Sequence, residues 1–565
     1  MATKSPTIEA RRAQAFPVLP PQAVERLGRF GETRTYAAGE TVLRRGETGR
    51  GLTLILSGEV EVTRADPAGA GEVIVVHGAG SFMGEVAQLT GRPAFARARA
   101  LSESRAVLIP PEGLRALLVA EAELGEMIMR ALILRRVALI ELGGGPIIVG
   151  PADHPDVLRL EVFLTRNGQP RTVLDVDSDP EAKALLERFH VPPGHWPVVL
   201  CPNGLLLRNP TDAELARCLG MVRRLDPERI YDVAIVGAGP AGLAASVYGG
   251  SEGLSVLTLE CRAFGGQAGA SMRIENYLGF PTGITGQALM GRAYAQAEKF
   301  GVEVAIPDEA AEIISPPGEI PIRIRLGDGE EARAHCLIVA SGARYRRLQG
   351  VGLEPFEARS VHYWASPAEA RLCAGQEVAL VGGGNSAGQA VVYLAERTKK
   401  VWMIARCERL EESMSRYLID RISGLPNVEV CLKSQISGVE GVDGHLQALT
   451  WRKTDGAETT RPIRNLFLFI GADPNTDWLA GSGVKLDNKG FVLTGADAGG
   501  AGHGAMATSR EGVFAIGDVR AGSVKRVAAA VGEGAQVIAA VHECMARRVG
   551  QGAARALAEH GAPAP

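Results

Sequence analysis

At 565 residues, with 61 basic and 64 acidic side chains, the chain carries a net charge of −3, which leaves no basic footprint for nucleic acid. Its length fits about three to four domains. No apolar run approaches the ~20 residues of a membrane span, and the first fifteen residues lack a secretory pattern. The eight cysteines include no Cys-x-x-Cys pair, and a chain this long needs no disulfide staples, so the expectation is a cytoplasmic protein.

Residues 15–142 alternate short apolar strands with glycine punctuation, as in Gly39-Glu40-Thr41-Val42-Leu43 and Leu52-Thr53-Leu54-Ile55-Leu56-Ser57-Gly58. Such spacing predicts an all-β roll, followed by helix over about 111–141. The order resembles the cyclic-nucleotide-binding domain, carried by the Leu56-Ser57-Gly58-Glu59-Val60 turn and the cassette-like Phe82-Met83-Gly84-Glu85-Val86-Ala87. The resemblance implies that Gly84 and Glu85 meet the ribose of a cyclic nucleotide and that an arginine meets its phosphate. Ala94-Phe95 stand where that family has Arg-Ser or Arg-Thr. Losing the charge-assisted partner of a buried phosphate costs ~2–5 kcal/mol. Arg92 and Arg97 are the substitutes within reach, so two readings stay open. The roll either binds cAMP or cGMP, or it is a degenerate module holding another anion or only a protein contact.

Gly143-Gly144-Gly145-Pro146 is a linker composition. Residues 150–225 then read as β-α-β-α-β-β-α and resemble a small thioredoxin or glutaredoxin fold, with Pro197 where that family has a cis-proline beside its active site. The family's Cys-x-x-Cys is expected near Arg166-Asn167-Gly168-Gln169, where the chain has none, so the module is read as cysteine-less. No helix-turn-helix follows the roll.

From Ile230 onward the pattern is a double α/β nucleotide-binding unit. The apolar run Tyr231-Asp232-Val233-Ala234-Ile235-Val236 leads into Gly237-Ala238-Gly239-Pro240-Ala241-Gly242, whose glycines allow a tight turn and backbone N–H groups close to a pyrophosphate. Glu260 ends the next strand 18 residues after Gly242, placed to accept ribose hydroxyls. Gly265-Gly266-Gln267, Glu275-Asn276-Tyr277-Leu278-Gly279-Phe280-Pro281, Ile338-Val339-Ala340-Ser341-Gly342 and Ile516-Gly517-Asp518 together resemble low-molecular-weight thioredoxin reductases. The resemblance implies FAD, held by those segments with Asn276 and Ser341 among them. Asp518 would bind the ribityl chain, and Arg526-Val527-Ala528 would lie beside the isoalloxazine. It sets the flavin domain at 230–348 and 475–545, with the nicotinamide domain at 349–474.

In that nicotinamide half, Gly382-Gly383-Gly384-Asn385-Ser386-Ala387 opens a helix, and the following strand ends in Ala405-Arg406 rather than in an acid. An arginine there pairs with the 2′-phosphate of NADP, which an acid would repel. NADPH is therefore favoured over NADH, although Glu408, Glu411 and Glu412 crowd the same loop as Arg409.

The reductases' redox dithiol is missing. Trp364-Ala365-Ser366-Pro367 occupy its place, and thiol–disulfide exchange needs paired thiols. Tyr363 and Trp364 either shield the flavin or are plain packing residues; Cys373 and Cys261 read as structural. No metal site is expected. The whole reads as a multidomain chain: a β-roll with helices, a thioredoxin-like α/β domain, and double Rossmann-like FAD/NAD(P)-binding domains. By resemblance it is a homodimeric FAD-dependent NAD(P)H oxidoreductase with an unknown electron acceptor. The alternatives are a flavin- and nucleotide-binding sensor with negligible turnover, or a ferredoxin or flavodoxin reductase. The second is disfavoured because no Phe, Tyr or Trp follows Phe514.

Overall fold

The computed structural model describes residues 6–560 apart from 48–49, 66–70, 85–93, 95, 142–144, 193, 203, 223–224, 358, 366 and 500–503. The chain divides into two units, residues 1–224 with 295–308, and residues 225–294 with 309–565.

In the first unit α1 (Pro6–Ala15) and α2 (Pro21–Gly28) precede eight strands: β1 (Glu32–Tyr36), β2 (Thr41–Leu43), β3 (Leu52–Ser57), β4 (Val60–Ala65), β5 (Gly71–His77), β6 (Phe82–Met83), β7 (Ala96–Ala100) and β8 (Ser104–Ile109). They form two four-stranded sheets ordered β1-β8-β3-β6 and β2-β7-β4-β5. Four consecutive residues of β3, Leu52 to Ile55, are buried because the strand is covered on both faces. Leu52 and Leu54 pack with Leu27, Leu114 and Leu117 of the helical layer, whereas Ile55 meets Tyr36, Val42 and Ala98 inside the roll. A near-continuous apolar run, interrupted here only by Thr53, is what a strand buried on both faces requires.

Two helices close the roll, α3 (Pro111–Ala120) and α4 (Ala122–Glu141). On α4 the guanidinium of Arg135 is buried; Nε donates to the Ala15 carbonyl at 2.8 Å and Nη1 to the Gly84 carbonyl at 3.0 Å. It lies over the rings of Phe82 and Phe16 at 4.6 and 5.0 Å, and burial lowers its pKa to about 9. His77 is only 3% exposed. Burial, then the charge of Arg135, pushes its imidazole down to about 3.

The middle module follows as β9 (Ile147–Gly150), α5 (Pro155–Arg166), β10 (Thr172–Asp175), α6 (Pro180–Arg188), β11 (Val198–Leu200), β12 (Leu206–Arg208) and α7 (Asp212–Cys218). Its sheet order is β10-β9-β11-β12, with the first pair parallel and the other two antiparallel. The Trp196–Pro197 peptide is cis, and a Cβ on Gly150 would lie 3.6 Å from the Pro197 Cα. The loop beside the proline is therefore residues 151–154, between β9 and α5. This corrects the expected location of the missing motif. Residues 166–169 lie at the other end of α5, where Arg136 of α4 donates to the Gly168 carbonyl at 3.0 Å and to Gln169 at 2.7 Å.

Nor is the module cysteine-less. Cys201, just after β11, and Cys218, at the end of α7, form a disulfide with Cα atoms 6.4 Å apart. Their separation of 17 residues gives no local motif, and only the return of α7 over the sheet brings the sulfurs together.

The second unit begins with β13 (Ile230–Val236), α8 (Pro240–Ser251) and β14 (Val256–Leu259). β13 lies parallel between β14 and the Glu331–Val339 strand, which in turn takes Val513–Ala515 in parallel. β13 and β14 are almost wholly buried, as strands of a parallel sheet covered by helices must be. A second parallel sheet runs in the order Val361–His362, Leu466–Leu468, Glu377–Val381, Lys400–Ile404, Val428–Cys431. Two crossing segments join the halves: Ala343–Tyr345 pairs antiparallel with Ala472–Pro474. Among the described residues no helix is long and apolar enough to cross a membrane.

Candidate active site

Between β13 and α8 the chain turns so tightly that Gly237 has φ +109, and a Cβ there would come within 2.2 Å of the Ala340 carbonyl oxygen. Only glycine satisfies both demands. Gly239 caps α8 with no side-chain hydrogen bond, and the only atom near its missing Cβ is the Gly266 Cα at 3.9 Å. No side chain caps the first amides of α8, and helix N-termini of this kind accept phosphate oxygens. Gly242 must be small for another reason, since its Cβ would meet the Gly237 carbonyl oxygen at 1.8 Å.

Glu260, just past β14, accepts the Ala238 amide at 2.9 Å and the Arg262 amide at 3.1 Å. Two backbone donors fix the carboxylate at the mouth of the loop. Gln267 donates to the Ala343 carbonyl. Ser341 and Asn475 exchange bonds, Ser341 Oγ to the Asn475 carbonyl at 2.7 Å and Asn475 Nδ2 to the Ser341 carbonyl at 2.9 Å. They bind the two crossing segments beside Gly342. Asn276 lies on an exposed stretch.

Gly517 donates its amide to Glu533 Oε2 at 2.6 Å, and Arg520 pairs with the same carboxylate. Glu533 thereby fixes the turn that presents Asp518, whose carboxyl burial pushes up. A half-buried carboxyl with neighbouring amides and an open glycine cradle suits the hydroxyl chain and pyrophosphate of a flavin dinucleotide. Arg526 is exposed at the start of the C-terminal helix Val527–His560, which Val527 and Ala528 open.

The second cradle is built alike. Gly382 has φ +151, and a Cβ there would approach the Phe469 carbonyl oxygen at 2.6 Å. Gly384 caps the Asn385–Ala395 helix without a side-chain bond. Asn385 accepts the Ser415 amide at 2.7 Å, and Ser413 donates to the Gly383 carbonyl at 3.0 Å. Ala387 is buried in the core of this half, and Ser386 begins the same helix. Arg406 is exposed past the Lys400–Ile404 strand. Two of the three acids crowding its loop are otherwise engaged, Glu408 with Lys433 at 2.7 Å and Glu412 with the Arg409 amide at 3.0 Å. No described carboxylate pairs with Arg406, so its charge is open to an anionic ligand.

Where paired cysteines were sought, Tyr363 donates to Glu357 at 2.8 Å and Trp364 Nε1 to Glu369 at 2.9 Å. Ala365 is buried, and Pro367 opens the Pro367–Leu372 helix; Ser366 lies outside the described residues. Cys373 is fully buried in the core of the nicotinamide half, and burial pushes its thiol up to about 12.

The family model for pyridine nucleotide-disulphide oxidoreductases matches residues 231–534, more than half of the chain. The chain belongs to this family. Among similar proteins, thioredoxin reductase of Peptoclostridium acidaminophilum is 31% identical over 315 residues, covering 54% of this chain and 95% of that protein. NADPH-dependent thioredoxin reductase 3 of Arabidopsis thaliana is 32% identical over 315 residues, and the match spans 57% of its length. The thioredoxin reductase structure from Lactococcus lactis, in the FR conformation, overlays with a TM-score of 0.52 at 28% identity, covering 56% of this chain and 99% of that one. This oxidoreductase is therefore an FAD-dependent NAD(P)H enzyme, with FAD and NADPH as cofactors.

A second family model, the cyclic nucleotide-binding domain, matches residues 33–121. Of the residues expected to hold a ligand there, Glu85 and Arg92 lie outside the described residues. Gly84 is in place, its carbonyl held by Arg135. Arg97 stands on the exposed side of β7, whereas Ala98 and Ala100 point inward; the geometry does not bring it into the roll. Glu533, in the Gly532-Glu533-Gly534 segment that the resemblance sets beside the isoalloxazine, and Asn475, which no motif singles out, both organise the flavin side. The partner of Asn475, Ser341, is 134 residues away in sequence, which no local motif announces.

Proposed function

We propose that this oxidoreductase passes the hydride of NADPH to FAD and delivers the electrons to an acceptor other than a thioredoxin disulfide. The observation that carries the reading is the absence of paired cysteines at 364–367, where Trp364 is hydrogen-bonded to Glu369 and the preceding Tyr363 to Glu357, both carboxylates of the same half. Exchange with a disulfide needs a thiolate and a partner thiol. The remaining cysteines of this half, Cys373, Cys407 and Cys431, are all pushed up, by burial first. They are protonated at neutral pH and unsuited to the task.

FAD, when bound, supplies the two-electron chemistry. The chain's own residues orient and select: Glu260 and the α8 amides hold the dinucleotide, Asp518 anchors it, and Arg406 selects NADPH. The N-terminal roll is proposed to tune this reaction rather than to take part in it, through an anion or a protein contact. A small oxidant, a quinone or a flavodoxin is the acceptor class that needs no thiol relay.

The test is an anaerobic titration of the purified protein with NADPH and, separately, NADH, following the flavin absorbance. Bleaching within seconds by NADPH, and far more slowly by NADH, is the expected result. Failure of both to bleach the flavin sinks the enzyme reading and favours a nucleotide-responsive sensor.

A further inference from the structure

The chain passes between the flavin and nicotinamide halves twice, through Ala343–Tyr345 and Ala472–Pro474, which pair antiparallel. A two-stranded neck fixes where the halves meet. Their angle is set by contacts made elsewhere, because a few residues can absorb a hinge rotation. Such a contact lies away from the neck. Arg421, on the Arg416–Ser423 helix of the nicotinamide half, donates through Nη1 to Glu275 Oε2 of the flavin half at 2.8 Å, across 146 residues of sequence.

The local fold presents Glu275 for this bond. Ile274 and Ile284 exchange backbone hydrogen bonds of 2.7 and 3.0 Å, so Glu275 starts a loop pinned at its foot. Gly283 closes the loop with φ +73, and a Cβ there would strike Arg273 Nε at 2.9 Å and Glu275 Cγ at 3.0 Å. Arg273 belongs to the flavin half: its Nε donates to the Thr282 carbonyl at 3.2 Å and stands 3.3 Å from Glu275 Oε1. Each carboxylate oxygen of Glu275 thus faces a guanidinium, one from its own half and one from the other. The Glu275 side chain is 18% exposed, against 45% for Arg421, which sets the pair apart from fully solvated ion pairs that contribute almost nothing. A charge-assisted bond in such a setting resists opening.

We propose that Glu275 and Arg421 are positioning residues, whose ion pair holds the nicotinamide half at the angle from which NADPH delivers its hydride to FAD, an inference that rests on the two cofactors being hydride partners. In that transfer NADPH loses two electrons as a hydride and FAD gains both. Reacting atoms must come within roughly 3–3.5 Å, and an error of about 1 Å costs orders of magnitude in rate. The nucleotide cradle at Gly382 and Gly384, with Arg406, lies wholly within the nicotinamide half and turns with it. Loosening the angle therefore slows the transfer and leaves NADPH affinity in place.

The experiment uses the full-length protein with FAD bound and follows flavin bleaching by NADPH in an anaerobic stopped flow. Arg421→Ala is expected to lower the limiting rate at saturating NADPH by about tenfold, with the apparent Kd for NADPH within about twofold of wild type. Arg421→Lys, which keeps the charge, is expected to hold most of the rate. Proximity is read without turnover. In Arg421→Lys a water-soluble carbodiimide is expected to join the introduced amine to the Glu275 carboxylate as an amide, with loss of water, mapped by mass spectrometry. Should Arg421→Ala not hold FAD, Arg421→Gln takes its place under the same criterion. An unchanged limiting rate, when the wild type bleaches, would overturn the proposal. So would a loss confined to NADPH affinity, or the absence of the amide. A wild type that NADPH does not bleach removes the hydride reading itself, and the proposal with it.

Discussion

Arg406 shows how little a single residue need do to set cofactor choice. It is exposed and pairs with no described carboxylate, because Lys433 and the Arg409 amide hold Glu408 and Glu412. A charge-assisted bond to a phosphate contributes roughly 1.5–3 kcal/mol. Arg406→Ala is therefore expected to lower kcat/KM for NADPH by about 10- to 100-fold and to leave NADH unchanged. Steady-state rates with an artificial acceptor read both values, and an equal loss for the two nucleotides would remove Arg406 from phosphate recognition.

At the scale of elements, the buried face between α4 and the roll has its own pH response. His77 on β5 sits close to Arg135 with its pKa near 3, by burial first, against about 6.5 in an unfolded chain. Between those two values the unfolded chain binds a proton that the folded roll does not. The stability His77 contributes is thus complete above pH 6.5 and is lost as the pH falls. By pH 5 the loss is about 2 kcal/mol. Hydrogen exchange in β5 and α4, corrected for intrinsic rates, should show protection falling between pH 7 and pH 5 in the wild type. His77→Leu is expected to flatten that dependence; an unchanged slope would mean that another group titrates.

Across the whole molecule, the loss of the dithiol predicts a specific failure. With NADPH and a bacterial thioredoxin, disulfide reduction is expected to stay at background, while ferricyanide or a quinone turns over. A thioredoxin-dependent rate well above background would point to a thiol relay elsewhere in the chain. Much of this was legible in the residues. The glycines at 237, 242 and 382, Glu260 at the end of β14, and the absence of paired cysteines at 364–367 are local features. A tight turn, a strand end and a missing sulfur need no distant partner to be recognised. The alternation of β7 was equally visible, and its alanines Ala98 and Ala100 are the buried face, with Arg97 exposed. The disulfide between Cys201 and Cys218, the hold of Glu533 on Gly517 and the buried Arg135 were beyond sequence reading. The sequence by itself determined the cofactor loops and the missing dithiol, because their chemistry lies within a few consecutive residues. Only the tertiary structure decided which distant sulfurs and charges meet, because such contacts arise when helices return across sheets and leave no spacing to read.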